Sequence, residues 1–201
     1  YKSSDNKLLV NTAYYEYDYT NQQQQIIVVN SSGALAGQTF NAGSSDMTGF
    51  ELETKYAVTD NILIDFSYYS AETEFKSFEL TETRPPLSFT ANKMNYSPES
   101  SYNVGLTIYS DDDSSVFTMS YSQKDSYFMD PSNRFVSEQP AYGLLNMSYI
   151  KDFNDNLQMK IFCTNCTDEI YLTQVTTFAV QFGGGGRNYY ANGNRVGLEV
   201  T

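Results

Sequence analysis

The chain has 201 residues, with 24 acidic against 12 basic side chains and a net charge of −12, a balance that repels nucleic-acid phosphates and argues against DNA or RNA as a partner. It contains no histidine, which removes the usual general base, the commonest zinc ligand and any Ser-His-Asp triad. No stretch approaches the roughly 18 apolar residues of a membrane-spanning helix, yet a chain without such a helix can cross a bilayer as a closed barrel.

Period-2 alternation runs from end to end, and eight strands are expected in chain order. The first covers 7–19. The second, 47–58, sets Phe50, Leu52, Tyr56 and Val58 against Glu51, Glu53 and Lys55. The third, 61–75, sets Ile62, Ile64, Phe66 and Tyr68 against Asp65 and Ser67. The fourth, 101–110, carries Tyr102, Val104, Leu106 and Ile108 on one face; the fifth, 114–128, carries Phe117, Met119 and Tyr121. The sixth, 141–151, the seventh, 157–164, and the eighth, 194–201, alternate in the same way, and the eighth is expected to pair antiparallel with the seventh. In the first strand, Glu16 and Asp18 share parity with Val10 and Tyr14, so either a bulge intervenes or the two acids stand above the apolar zone.

The connections sort by length. Three are tight and polar: Thr59 to Asn61, Asp111 to Asp113, and Asp152 to Asn156. The intervening ones, 20–46, 76–100, 129–140 and 165–193, are long. Short and long turns alternate strictly, as in an up-and-down outer-membrane barrel with short periplasmic turns and long extracellular loops. An antiparallel sandwich has no reason to sort its loops this way. Most strands reach the roughly 9–11 residues that a tilted membrane strand needs. Aromatic residues cluster toward strand ends and predict two interfacial girdles. Tyr56, Tyr109, Tyr149 and Phe153 belong to the short-turn row. Tyr17, Tyr19, Tyr69, Tyr127 and Tyr142 belong to the long-loop row.

Little here points to catalysis or a bound metal. Cys163 and Cys166 are the only cysteines, so zinc would lack two ligands. On a straight strand they point to opposite faces about 10 Å apart, too far to bridge. They read as two thiols at a strand end, with a disulfide across a bend beyond Thr164 as the alternative. Asp111 to Asp113 lack the wrapped oxygen loop of a calcium site and read as a solvated turn. Glu72 and Glu74 share a strand face but imply no substrate pocket. The glycine run 183–186 lacks the Lys-Ser/Thr of a phosphate loop and reads as a flexible return to the last strand. No cofactor is implied. The long loops offer better material: Tyr127, Phe128 and Arg134 flank one, and Arg187, Tyr189 and Tyr190 lie in another. Arginine holds carboxylates or phosphates bidentately, and aromatic rings stack on ligand faces.

Several segments resemble the C-terminal third of TonB-dependent receptors. Ala13 to Tyr19 with Gln22 to Gln25 looks like a strand of that family running into its loop. Asn41-Ala42-Gly43 with Gly49-Phe50-Glu51-Leu52-Glu53 looks like its next hairpin. Ser97-Pro98-Glu99 with Asn103-Val104-Gly105-Leu106 matches its strand opening, and Asn165-Cys166-Thr167-Asp168-Glu169-Ile170-Tyr171 matches its N-L-T-D-x-x-Y element. Cys166 replaces the expected Leu, the Pro before Arg187 is missing, and Thr201 stands where such barrels carry a terminal aromatic. The resemblance implies an all-β, antiparallel transmembrane barrel to which 1–201 contributes about eight strands. It implies a plug domain and a TonB-coupling segment upstream, the bacterial outer membrane as location and lipid as surroundings. It also implies uptake of a scarce solute, most commonly a ferric siderophore, with cobalamin, haem or a saccharide as other classes. On this reading the chain is an internal fragment rather than a processed whole. Two other readings compete: a complete eight-stranded barrel with a structural or adhesive role, and, more distantly, a secreted sandwich.

Overall fold

The computed structural model of the chain describes all residues except 30–32, 82, 84–85 and 178–185. In chain order the strands are β1 (Leu8–Val29), β2 (Leu35–Ala57), β3 (Ile62–Ser77), β4 (Glu79–Leu80), β5 (Leu87–Ser88), β6 (Ser100–Tyr109) and β7 (Ser115–Lys124). They continue as β8 (Tyr127–Phe128), β9 (Glu138–Gln139), β10 (Tyr142–Asn154), β11 (Leu157–Thr164), β12 (Leu172–Thr177), β13 (Gly186–Tyr190) and β14 (Arg195–Val200). One 3-10 turn, Phe135–Ser137, precedes β9. Eight strands form one antiparallel wall in the order β1-β2-β3-β6-β7-β10-β11-β14, and the remaining six make three small hairpins in the long loops.

All eight expected strands are present, although the fifth leaves the wall at Lys124 and its expected end, Tyr127–Phe128, is β8 of a separate hairpin; the last pairs with the seventh from Met159↔Val200 to Thr164↔Arg195. Register assigns the faces, because a one-residue shift moves a side chain to the opposite side. One row crosses the whole wall: Leu8, Tyr56, Ile64, Leu106, Met119, Met147, Cys163 and Val196. The adjacent row on the other face reads Lys55, Asp65, Gly105, Ser120 and Asn146. The polar face is the concave one, enclosing a hollow of ≈ 410 Å³ whose lining includes Asp65, Thr107, Thr118, Ser148, Lys160 and Arg195. Small side chains there make room for larger neighbours. The Asp65 carboxylate covers Gly105, and the Phe162 ring covers Gly197. The Lys160 ammonium and the Arg195 guanidinium each lie 5.2 Å from that ring's centre, and Lys160 pairs with Glu199 at 3.2 Å.

Four expectations are corrected. First, 20–46 is not an open loop: β1 and β2 pair as far as Val29↔Leu35. The Gln22–Gln25 run hides the strand, but Ile26 and Phe40 beyond it pack on a buried cluster. No register break separates Val10 from Asp18, so Glu16 and Asp18 stand above the apolar zone without a bulge. Second, the tyrosines expected in the two girdles do not all share the apolar face. Tyr69 and Tyr142 lie in the row of Glu51 and Lys124, and Tyr17, Tyr19 and Tyr109 also have polar-face parity. The apolar-face tyrosines toward the loop end are Tyr14, Tyr68, Tyr102 and Tyr121. Third, β1 and β14 are the two ends of the sheet and are not bonded to each other, so a closed eight-stranded barrel is not formed. Fourth, Cys163 and Cys166 form a disulfide with Cα atoms 5.5 Å apart. The straight-strand argument fails because β11 stops at Thr164 and Asn165 takes φ +48, turning the chain back on itself.

The three tight turns lie where expected, the third shortened to 155–156 because β10 runs on to Asn154. At the Asp111–Asp113 turn, Asp112 Oδ1 accepts hydrogen bonds from Ser110 Oγ (2.5 Å), Ser114 N (3.1 Å) and Ser114 Oγ (2.6 Å). These donors hold its carboxyl well below the usual carboxylate range. The residues this chain buries lie at the opposite, loop end. Phe75, Phe78, Leu80, Phe89 and Ala42 form one cluster, and Met129, Leu172 and Val175 form another.

Candidate functional site

The long loops leave one end of the wall and interlock there. Three hydrogen bonds join the β5–β6 segment to the segment after β8: Asn92 Nδ2 to the Pro131 carbonyl (2.8 Å), Lys93 N to Asn133 Oδ1 (2.7 Å), and Asn133 Nδ2 to the Lys93 carbonyl (3.0 Å). The backbone N of Leu172 donates to buried Gln139 Oε1 at 2.6 Å, which joins β12 to β9. The Tyr142 and Tyr171 rings stack at 4.5 Å. Buried polar groups that find partners across loops fix those loops against each other.

Asn165 organises the start of the last loop. Its backbone N donates to Asn146 Oδ1, its Nδ2 donates to the Glu169 carbonyl, and its Oδ1 accepts from Glu169 N, each at 2.9 Å. Asp168 Oδ1 accepts from Asn194 N at 2.8 Å, so the loop returns to where it began. The Asn and Asp of the N-C-T-D segment therefore shape a turn.

These contacts frame a cleft of ≈ 480 Å³ between the upper end of β1, the β5–β6 segment, the segment after β8, and β12. The polar residues along it are Gln24, Gln25, Asn95, Asp130, Ser132, Arg134, Gln174, Thr176 and Thr177, with Tyr96 as an aromatic one. Tyr96 holds φ +58, a left-handed conformation that a bulky residue keeps only when its surroundings impose it. Its backbone N donates to the Phe128 carbonyl at 2.7 Å. Burial and the neighbouring Asp130 carboxylate push its hydroxyl above the ordinary tyrosine value. Asp130 Oδ1 accepts from the backbone N of Ser132 (2.8 Å) and from its hydroxyl, and that hydroxyl accepts from Arg134 Nε at 2.9 Å. Asp130 Oδ2 is buried without a hydrogen-bond partner.

The structure divides the residues expected to hold a ligand. Arg134 lines the cleft. Tyr127 lies beneath it, its ring 6.2 Å from that of Tyr96 and packed on the Met129 cluster. Burial beside Tyr142 raises its hydroxyl well above the ordinary value. Arg187, Tyr189 and Tyr190 lie together on β13 and are exposed. The Arg187 guanidinium stands 5.3 Å from the Tyr189 ring centre. Tyr190 opens onto a second hollow of ≈ 430 Å³ with Phe135 and Ile170. Sequence reasoning missed Gln24, Gln25, Asn95, Tyr96, Asp130 and Gln174. Only the glutamine run was visible beforehand, and nothing in the sequence showed that four segments converge. Residues 183–185 of the glycine run lie outside the described residues.

The family model for the "TonB dependent receptor-like, beta-barrel" domain matches residues 1–166. Solved structures with the same fold include the ferric yersiniabactin uptake receptor FyuA from Yersinia pestis, with a TM-score of 0.77 at 17% identity over 100% of this chain and 28% of that one. The siderophore receptor PiuA from Acinetobacter baumannii has a TM-score of 0.75 at 17% identity over 100% of this chain and 26% of that one. The ferric citrate transporter FecA has a TM-score of 0.67 at 17% identity over 98% and 29%. The chain thus spans just over a quarter of the length of these proteins. Comparison with curated protein sequences finds no match.

Proposed function

We propose, from the premise that this chain belongs to the TonB-dependent receptor β-barrel family, that it is the C-terminal wall of an outer-membrane receptor that takes up a scarce solute, a ferric siderophore, by TonB-coupled transport. In this reading the apolar face meets lipid, the polar concave face meets the receptor's own plug domain, and the interlocked loops face the outside. TonB couples through a segment upstream of these residues. The observation that carries the reading is the cleft of ≈ 480 Å³, held open at the loop end of a wall that is polar inside and apolar outside. One of the similar structures is named as a siderophore receptor and another as a ferric yersiniabactin uptake receptor, which supports that solute class.

Capture is assigned to Arg134 in the cleft, with Tyr127 supporting it from beneath, and to Arg187 with Tyr189 and Tyr190 at the rim. Losing one charge-assisted hydrogen bond costs about 1.5–3 kcal/mol, or roughly 10- to 100-fold in affinity. The test is ferric-siderophore binding and growth-supporting uptake in the full-length receptor at normal surface level. Arg134→Ala and Arg187→Ala are expected to lose affinity, and Asp112→Ala in the opposite turn is expected to keep it. Equal behaviour of all three removes the arginines from the site.

A further inference from the structure

The β1–β2 hairpin runs on after the wall has ended. β3 leaves β2 at Ser44↔Ser77, while β1 and β2 stay paired as far as Val29↔Leu35. The arm so formed, 21–29 with 35–43, extends about 30 Å past the end of β3 at ~3.3 Å per residue. It is packed from one side, through Ile26 and Phe40 on the cluster of Phe75 and Phe78. Its β2 edge is bare. Among the described residues, the backbone of 35–41 pairs with β1 and with no other backbone. An open strand edge is ordinarily guarded by a charged side chain, a proline or a bulge, because its unpaired N–H and C=O groups template another strand. Here those guards are missing. Residues 20–45 contain no Asp, Glu, Lys, Arg or Pro, in a chain of which 18% is charged. β1 and β2 keep one register through the arm, without a bulge at 35–41. Gln38 and Thr39 are exposed there and neutral.

Backbone chemistry defines the occupant of such an edge: a polypeptide in extended conformation that hydrogen-bonds through its main chain. Two sources within the receptor do not fit. β1 is one end of the sheet, so upstream strands join the wall beyond β1, on the far side of the arm from this edge. A second copy in the same membrane would be related by an axis along the membrane normal. Membrane strands tilt by about 35–45°, so two such edges would cross at roughly twice that angle and could form no ladder. A charged segment would lose hydration against this neutral run without gaining an ion pair. Resting on the uptake reading only for the arm's outward position, we propose that 35–41 is a docking edge for an extended, uncharged segment of a separate extracellular polypeptide, which adds to β2 as a further strand.

The probe is a fluorescein-labelled peptide of alternating Thr and Val with a Lys at each end, titrated into the full-length receptor in detergent. A second peptide with Pro at its central positions is the control, because proline cannot donate to a ladder. Isotope-labelled carbonyls in both peptides report strand pairing through the infrared amide band. The alternating peptide is expected to bind and to shift its labelled band to the strand position, and the proline peptide to do neither. Restoring a guard with Gln38→Lys and Thr39→Lys together should weaken binding roughly tenfold, the effect of losing about one backbone hydrogen bond. Asp112→Asn in the opposite turn should leave it unchanged. Ferric-siderophore binding in the same samples keeps the two readings apart. Siderophore bound without the peptide, or peptide bound equally by the lysine variant, overturns the docking edge alone. Peptide bound as expected without any siderophore overturns the uptake reading and leaves the edge, and binding of neither overturns both.

Discussion

The wall and the loops are built from the same alternating sequence, yet they bury side chains very differently. Phe75, Phe78, Leu80 and Phe89 at the loop end are 0–4% exposed. On the apolar face of β14, Val196, Leu198 and Val200 are 71%, 63% and 64% exposed. The loops thus carry their own hydrophobic cores within this chain. Among the described residues the wall below them has no such cluster, which fits the proposed receptor, where lipid covers one face and protein the other. Burial inside one chain therefore locates the part whose packing partners lie within the chain, and here that part is the loop end.

The comparison breaks most directly if the wall proves self-sufficient. Residues 1–201 expressed without detergent are expected to be insoluble, because two open sheet edges and a bare apolar face drive association. A sharp monomeric peak with cooperative unfolding in plain buffer would refute the assignment. A smaller effect sharpens it. Phe78→Ala empties a buried aromatic site and should cost about 3–5 kcal/mol, read as a lower unfolding midpoint of the full receptor in detergent. Ile161→Ala on the apolar wall face should cost clearly less, since detergent tails refill the space. Similar costs at the two sites would erase the distinction.

The smallest effect lies at the short-turn end. The Asp112 carboxyl is depressed in the fold, so its contribution is present above the ordinary aspartate value of about 3.9 and is lost only as pH falls through the lower folded value. Carboxyl titration of the folded receptor should find Asp112 still ionised when exposed aspartates are half protonated. Asp112→Asn should flatten the acid limb of the thermal-stability profile. A titration at the ordinary value would mean that Ser110 and Ser114 do not hold the turn.

The wall was legible in the sequence because alternation and loop sorting are local signals that agree with each other. Leu106 and Thr107, or Met159 and Lys160, declare opposite faces by type alone. The loop end was less legible. The pairing of Gln22–Gln25 with 39–42 depends on apolar residues farther along, Ile26 and Phe40, finding Phe75 and Phe78 across the sheet. The tyrosine rows failed for a related reason: position along a strand does not fix the face, and only the partner's register does. Arg134 could be named from composition, but its neighbours could not. Gln24, Asn95 and Gln174 are about 70–80 residues apart, and only the folded loops bring them together. The cysteine pair turned on one backbone conformation, that of Asn165, which spacing alone does not reveal.

The bond from Asn194 N to Asp168 Oδ1 has a consequence for how such a receptor can change. The last loop leaves the wall at the Cys163–Cys166 disulfide and rejoins it at β14, and this bond ties departure and return together. Everything between is a closed excursion whose length the wall does not sense. Lengthening such an excursion adds only a slowly growing closure cost, about 0.6 kcal/mol per doubling. Beyond the anchored residues Tyr171, Leu172 and Val175, this excursion can accordingly change in length. Insertions there can reshape the rim around Arg187 and Tyr189 while every strand register below stays in place.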